Sequence, residues 1–145
     1  METVYFLGKI NTLSEILFVN IENFKNEKNI SKEFESQSFQ NMRSVSELIV
    51  KEILNFVKDE EKISNFVKDN EKTSLKSSCV MYFFGFIKKD ILENEAIRKL
   101  EYFNNIEKFF RLENVILYFL EIQSVHERII EIRNNFIETV KKIEC

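Results

Sequence analysis

Few residues in this chain could perform chemistry, and their numbers already exclude several kinds of site. The sequence has one histidine, His126, set among charged residues, and we expect it on a solvated or interfacial helix side without a catalytic or ligand role. A di-iron bundle needs two Glu-x-x-His motifs, and a structural zinc site needs four Cys or His ligands. The chain has neither, and its two glycines form no glycine-rich phosphate loop. We therefore predict no metal site and no cofactor.

The two cysteines do not form a redox or metal-binding pair. Cys79 opens an unbroken apolar run that ends at Ile87, whereas Cys145 is the last residue. Buried free cysteines usually behave as small hydrophobic side chains. We therefore predict that Cys79 packs in the core and is not a nucleophile, and that Cys145 is an exposed thiol.

Carboxylates are plentiful, and two of them in one cleft could act as general acid and base. On a helix, carboxylates three or four residues from Lys or Arg usually form solvated ion pairs, as predicted for Glu47 with Lys51. We therefore predict no catalytic residue and no enzymatic activity, and a hydrolase ranks third among the functions considered. The pairs weighed for acid–base chemistry are Glu47/Glu52, Glu60/Glu61 and Glu127/Glu131.

A basic cluster in the middle third of the chain offers an alternative function. Basic side chains beside aromatic rings can hold single-stranded RNA or DNA by phosphate contact and base stacking. Acidic residues are interleaved with this cluster, and the chain has a net charge of −3, so the local field is nearly cancelled. The candidate nucleic-acid residues are Lys88, Lys89, Arg98, Lys99, Lys108 and Arg111, beside Tyr102, Phe103, Phe109 and Phe110.

The elements that must position these residues are predicted from apolar periodicity. The chain has no proline and two glycines, so little in it interrupts a helix. An AT-rich genome would favour this composition whatever the fold, because Phe, Ile, Asn and Lys have AT-rich codons. The fold class therefore depends on the spacing of apolar residues, which follows helical steps of three and four.

The first half of the chain contains two predicted helices. The N-terminal helix covers 3–27, or 12–27 if Gly8 disrupts its start. The second covers 44–69, because the Ser-x-x-Glu sequence that begins at Ser44 has the spacing of a capping box. The polar stretch between these helices reads as a loop bearing a short helix.

The second half of the chain contains three more predicted helices. The apolar run predicts a buried central helix over about 79–92, with a strand as the alternative because the run is rich in aromatic residues. Asn94 is a candidate cap for a helix that ends near Arg111. The clearest periodicity predicts a helix over 112–143. At 1.5 Å per residue it would be roughly 48 Å long, so it either breaks near Ser124 or projects and pairs with a partner.

These elements predict an all-α single domain over 1–145, a compact bundle of five or six helices around the 79–92 segment. A weak internal similarity at an offset of about 80 residues suggests two related three-helix halves, with chance similarity as the alternative. The longest apolar run is far shorter than the roughly 20 residues of a membrane span, so we expect no membrane partner. The start lacks a signal-peptide pattern, which predicts a cytoplasmic location, or the host cytosol for a viral protein.

The leading functional prediction is a non-enzymatic protein–protein interaction module, an adaptor or an inhibitor. The projecting end of the C-terminal helix would pair with a second copy in a homodimer, or with an amphipathic helix of a partner protein. The small size and AT-rich composition favour a protein encoded by a virus, phage or mobile element. The alternative is a nucleic-acid-associated helical subunit that uses the basic cluster. The predicted protein contacts are Ile129, Ile132, Phe136, Val140 and Ile143.

Overall fold

Seven helices pack into a bundle in the described part of the chain. The computed structural model describes residues 2–27, 36–57, 75–122 and 129–142, and gives only the backbone at 75 and 129–135. These residues form no strand, so the predicted all-α class is confirmed. The helices are α1 (Glu2–Lys25), α2 (Gln37–Phe56), α3 (Leu75–Tyr82, the π-helical turn Phe83–Ile87 and Lys88–Glu93), α4 (Glu95–Arg98), α5 (Phe103–Phe109), α6 (Glu113–Glu121) and α7 (Ile129–Lys142).

The N-terminal helix α1 is continuous through Gly8. The φ angle of Gly8 is not positive, and a Cβ there would meet only the Tyr102 hydroxyl, at 3.7 Å, so this glycine does not interrupt the helix. The prediction of a helix over 3–27 is therefore confirmed, apart from small shifts at its ends. The predicted apolar stripe faces the core through Leu7, Ile10, Leu17, Ile21 and Phe24.

Helix α2 begins earlier than the sequence predicts. Its N-cap is Ser36, whose Oγ accepts a hydrogen bond from the Phe39 amide at 3.2 Å and donates to the Glu27 carboxylate at 2.7 Å. The predicted start at Ser44 is wrong, because Ser44 lies in the middle of a helix whose amides are already bonded. The helix ends at Phe56, and the rest of the predicted 44–69 segment lies outside the described residues from 58 onward.

The predicted central helix is present as α3, but it is not buried on every side. Phe83 and Phe84 are both buried, whereas Gly85 and Phe86 are exposed. All three phenylalanines belong to the π-helical turn, so this turn has a buried and an exposed side. Asn94 caps α4 as predicted, since its Oδ1 accepts a hydrogen bond from the Ile97 amide at 3.1 Å.

The helix predicted from Asn94 to Arg111 is divided into α4 and α5 by a turn over 99–102. This division also bears on the suggested internal repeat. Helix α1 has 24 residues without a break, whereas the segment to which it is similar contains the end of α3, α4 and α5. The two halves therefore differ in layout within the described residues.

Helices α6 and α7 form a hairpin, which decides between the two alternatives for the 112–143 segment. The rings of Tyr118 and Phe136 are stacked with centroids 4.2 Å apart. In one continuous helix these two residues would be about 27 Å apart. The alternative of one continuous, projecting helix over 112–143 is therefore wrong, and α6 and α7 are two separate helices that pack against each other. Ser124 lies outside the described residues.

Much of the abundant phenylalanine is used in two aromatic clusters of the core. Ring pairs at centroid separations near 5 to 6 Å favour edge-to-face or offset contacts and add to the burial energy. One cluster joins α1, α2, α6 and α7 through Phe24, Phe39, Tyr118, Phe119 and Phe136. The other joins α1, α2, α3 and the end of α5 through Phe6, Phe56, Phe83, Phe84, Phe109 and Phe110.

Candidate interaction surface

The C-terminal residues predicted as protein contacts do not form a described surface. Phe136 and Val140 are each only 2 % exposed, because the α6/α7 hairpin turns them into the core of their own chain. The prediction is corrected at these two positions: their side chains are intramolecular core contacts. Ile143 and the side chains of Ile129 and Ile132 lie outside the described residues.

The basic cluster is largely exposed, but it lacks the aromatic platform predicted beside it. Phe109 and Phe110 are buried and contact Phe83 and Phe84, so neither can stack on a base, and the prediction is corrected there. Tyr102 and Phe103 are half-buried against the core. Some of the basic side chains also interact within the chain itself.

Lys108 lies in the last turn of α5, and its Nζ is 4.4 Å from the centroid of the Phe18 ring. Arg98 lies in the last turn of α4. Positive charge in the last turn of a helix stabilises the exposed carbonyl end. Of the remaining cluster, Lys89, Lys99 and Arg111 are exposed and Lys88 is half-buried.

Three of the residues weighed for catalysis, Cys79, Glu47 and Glu52, occupy structural positions. Cys79 is buried as predicted, and burial raises the pKa of its thiol, which disfavours the nucleophilic thiolate. Glu47 Oε1 lies 3.8 Å from Arg43 Nε, and Glu52 Oε2 lies 3.7 Å from Lys9 Nζ. These two carboxylates therefore belong to ion pairs on the helix surface. His126, Glu127 and the pair Glu60/Glu61 lie outside the described residues, and only the backbone of Glu131 is described.

Exposed hydrophobic side chains concentrate on α1 and α2. In the described part of the chain, five large hydrophobic residues are well exposed, and four of them belong to these two helices. A single exposed apolar residue is ordinary, whereas several on one face mark an interaction site. The exposed fractions are 68 % for Tyr5, 59 % for Val19, 50 % for Leu48, 44 % for Ile16 and, on α3, 58 % for Phe86.

The antiparallel register of α1 and α2 brings these side chains together. Lys9 lies across from Glu52, and Asn20 Oδ1 accepts a hydrogen bond from Asn41 Nδ2 at 3.1 Å. From the first contact to the second, the residue number rises by eleven on α1 and falls by eleven on α2. The register therefore sets Leu48 beside the turn of α1 that contains Ile16.

We call this surface the outer face, because it lies opposite the core stripe of α1. Thr12 belongs to it, and its hydroxyl donates to the Gly8 carbonyl at 3.2 Å, so the hydroxyl proton is used within the helix. Charged residues border the apolar ones on α2. The outer face consists of Tyr5, Thr12, Ile16 and Val19 of α1 and Glu47, Leu48 and Lys51 of α2.

An open cleft of about 350 Å³ adjoins the Tyr5 end of the outer face. Its floor contains the stacked rings of Phe6 and Phe56, whose centroids are 4.1 Å apart. Lys9 Nζ lies over the Tyr5 ring at 4.5 Å from the centroid and also pairs with Glu52. The cleft therefore already holds its own cation, and it offers a partner side chain an aromatic wall next to the outer face.

Sequence reasoning missed the outer face, although the sequence contains a signal for it. The steps from Tyr5 to Thr12, Ile16 and Val19 are helical, and these residues lie on the opposite side of α1 from Leu7, Ile10 and Leu17. A helix that is apolar on two sides has one stripe for the core and a second that needs another explanation. Because the apolar periodicity of the C-terminal segment is stronger, the sequence prediction places the protein contacts there instead.

Comparisons with known proteins do not identify a relative. No protein-family model matches the chain, and neither a curated protein nor a solved structure is significantly similar to it. Among the described residues, no three His, Cys, Asp or Glu side chains are grouped to hold a metal ion. No helix in the described ranges has the length and apolar character needed to span a bilayer.

Proposed function

We propose that this chain is a non-enzymatic protein–protein interaction module, acting as an adaptor or an inhibitor, and that it binds its partner through the outer face. The observation that carries the proposal is the concentration of exposed Tyr5, Ile16, Val19 and Leu48 on one side of α1 and α2. Apolar anchors within a charged border are typical of binding surfaces, where a few central residues supply most of the affinity.

The state of the reactive residues also supports a binding role. The Cys79 thiol is buried with a raised pKa, and Glu47 and Glu52 belong to surface ion pairs. A nucleic-acid role is less well supported, because Phe109 and Phe110 of the candidate platform are core residues. We propose a cytoplasmic location, or the host cytosol if a virus or mobile element encodes the protein.

The test is affinity capture from extracts of the source cell, with variants of the outer face as bait. We expect Val19→Glu and Leu48→Glu to lose the partner, with affinity reduced at least about thirtyfold. Both side chains are exposed, so the fold should tolerate the change, which circular dichroism checks.

The matched control is Phe86→Glu, because it makes the same kind of change at an exposed hydrophobic residue outside the outer face. Mass spectrometry then identifies proteins that wild type and Phe86→Glu retain and that Val19→Glu and Leu48→Glu do not. If no protein shows this dependence, including a second copy of the chain, the proposal fails.

A further inference from the structure

The outer face is self-complementary, and this pattern points to the identity of its partner. We infer that the partner is a second copy of this chain, packed against the outer face with its α1 antiparallel and related by a two-fold axis at the level of Thr12. The inference rests on the proposed function, since it names the partner of the same surface. A two-fold interface uses the same patch on both subunits, so each residue must suit the one that the axis brings opposite.

On α1 two of the three apolar residues of the outer face are placed symmetrically about Thr12, and the third, Ile16, comes opposite Gly8, which has no side chain. Tyr5 and Val19 each lie seven positions from Thr12, which is two helical turns in either direction. These are the two most exposed hydrophobic residues of the outer face. An axis at Thr12 brings Tyr5 of one copy opposite Val19 of the other, twice in each dimer. An aromatic ring against a branched aliphatic side chain buries apolar area at both ends of the contact.

On α2 the two charged residues of the outer face are symmetric about the same level, and Glu47 also pairs with Arg43 of its own helix. Glu47 and Lys51 each lie two positions from residue 49, and the register set by Lys9–Glu52 and Asn20–Asn41 brings position 49 level with Thr12. One axis therefore serves both helices. It brings Glu47 opposite Lys51 of the second copy, again twice, while Leu48 lies close to the axis.

The charges also determine the orientation of the second copy. In a parallel arrangement at the same level, Glu47 would oppose Glu47 and Lys51 would oppose Lys51. Like charges across an interface suppress a wrong pairing, and opposite charges at its border direct the right one. An unrelated partner would not require the midpoints on α1 and α2 to coincide. Their coincidence favours a second copy over a different protein.

The first measurement is the mass of the purified full chain by sedimentation equilibrium over a wide concentration range. Wild type and Phe86→Glu should form dimers with the same dissociation constant. Leu48→Glu should weaken the dimer at least about thirtyfold, because it sets two carboxylates, one from each copy, close together near the axis.

Charge exchange on α2 tests the proposed geometry itself. Glu47→Lys and Lys51→Glu each create like charges across the axis, twice per dimer, and should each weaken the dimer about tenfold. Mixing these two variants restores opposite charges at both contacts, so the mixture should form a heterodimer of near wild-type affinity. A defect in folding could not be repaired by mixing, which separates loss of contact from loss of structure.

Each outcome decides something different. A wild-type chain that stays monomeric at every concentration overturns the dimer, yet the proposed function stands if Val19→Glu still abolishes capture of another protein. Dimers that neither single charge variant weakens, or that mixing does not restore, overturn the antiparallel geometry. A monomer that also shows no capture dependent on Val19 and Leu48 overturns both the inference and the proposed function.

Discussion

Two serine hydroxyls in the core are buried without a hydrogen-bond partner among the described residues, namely Ser46 Oγ on α2 and Ser78 Oγ on α3. A third buried serine, Ser14, differs because its Oγ donates to the Ile10 carbonyl at 2.6 Å. A buried hydroxyl that loses water without gaining a partner destabilises the fold by about 1 to 3 kcal/mol.

We expect Ser46→Ala and Ser78→Ala each to raise the free energy of unfolding by about 1 kcal/mol, since each removes an unsatisfied hydroxyl and alanine is the better helix former. Ser14→Ala should change it by less, because it gives up a hydrogen bond that already exists. Urea unfolding of the three variants makes the comparison. A loss of stability in Ser46→Ala larger than that in Ser14→Ala would contradict the argument.

Glu113 is a carboxyl whose protonation is altered by the fold. It lies in the first turn of α6. Burial raises its pKa above the usual value, and the nearby positive charge of Lys88 lowers it by less. Because the folded-state pKa is the higher one, the protonated form favours folding. This contribution is complete below the unfolded-state pKa and is lost as the pH rises through the folded-state pKa.

We therefore expect Glu113→Gln to be more stable than wild type at pH 7, because an amide is not charged on burial, with the difference shrinking as the solution is acidified below the pKa of the carboxyl. Thermal unfolding at neutral and acidic pH measures this. The exposed Glu107→Gln on α5 is the control for a change of net charge. If Glu113→Gln and Glu107→Gln show the same pH dependence, burial of Glu113 is not the cause.

At the scale of elements, apolar periodicity identifies the buried face of α1 but not that of α3. The apolar stripe through Leu7, Ile10 and Leu17 was sufficient to predict both the presence of α1 and the face it buries. The run from Cys79 to Ile87 within α3 is apolar all round, so its sequence did not indicate which side of the helix would be covered. In the structure Phe83 and Phe84 of the π-helical turn are buried, whereas Phe86 is exposed.

Gly85 within the π-helical turn gives a test at this scale. Its φ angle is not positive, and a Cβ there would meet nothing within 4 Å. We expect Gly85→Ala to stabilise the protein by about 0.5 to 1 kcal/mol, because alanine has less backbone freedom to lose on folding. Chemical denaturation is the measurement, with Gly8→Ala as the counterpart in α1. A destabilised Gly85→Ala would show that the turn requires glycine for another reason.

At the scale of the whole molecule, one aromatic cluster fastens the C-terminal hairpin to the rest of the bundle. Phe136 of α7 contacts Phe24 of α1, Phe39 of α2, and Tyr118 and Phe119 of α6. These contacts come from three helices, and α1 and α2 are distant from α7 in sequence. The position of α7 therefore depends on a side chain that the sequence alone assigned to an intermolecular surface.

We expect Phe136→Ala to lower the free energy of unfolding by about 3 to 5 kcal/mol, the range typical of a large cavity left in a core. Glu138→Ala, an exposed substitution on the same helix, should change it by less than about 0.5 kcal/mol. Denaturant titration measures both. If Phe136→Ala keeps its stability, Phe136 does not occupy the core position described here.

By itself, the sequence determined the helical class, the core stripe of α1, the buried Cys79 and the cap at Asn94. These follow from local rules: apolar spacing defines a helix face, and a side-chain oxygen satisfies the first amides of a helix. The start of α2 escaped prediction because Ser36 obtains part of its support from Glu27, across a polar stretch that reads as loop.

Only the tertiary structure decided what covers each face. The stripe that contains Phe136 and Val140 has the same spacing whether it projects into solvent or folds back on α6, and the hairpin buries it. The exposure of the outer face is decided in the same way, because the rest of the bundle packs against the opposite side of α1. The apolar periodicity of a helix shows which residues share a face, whereas the burial of that face depends on which distant elements pack against it.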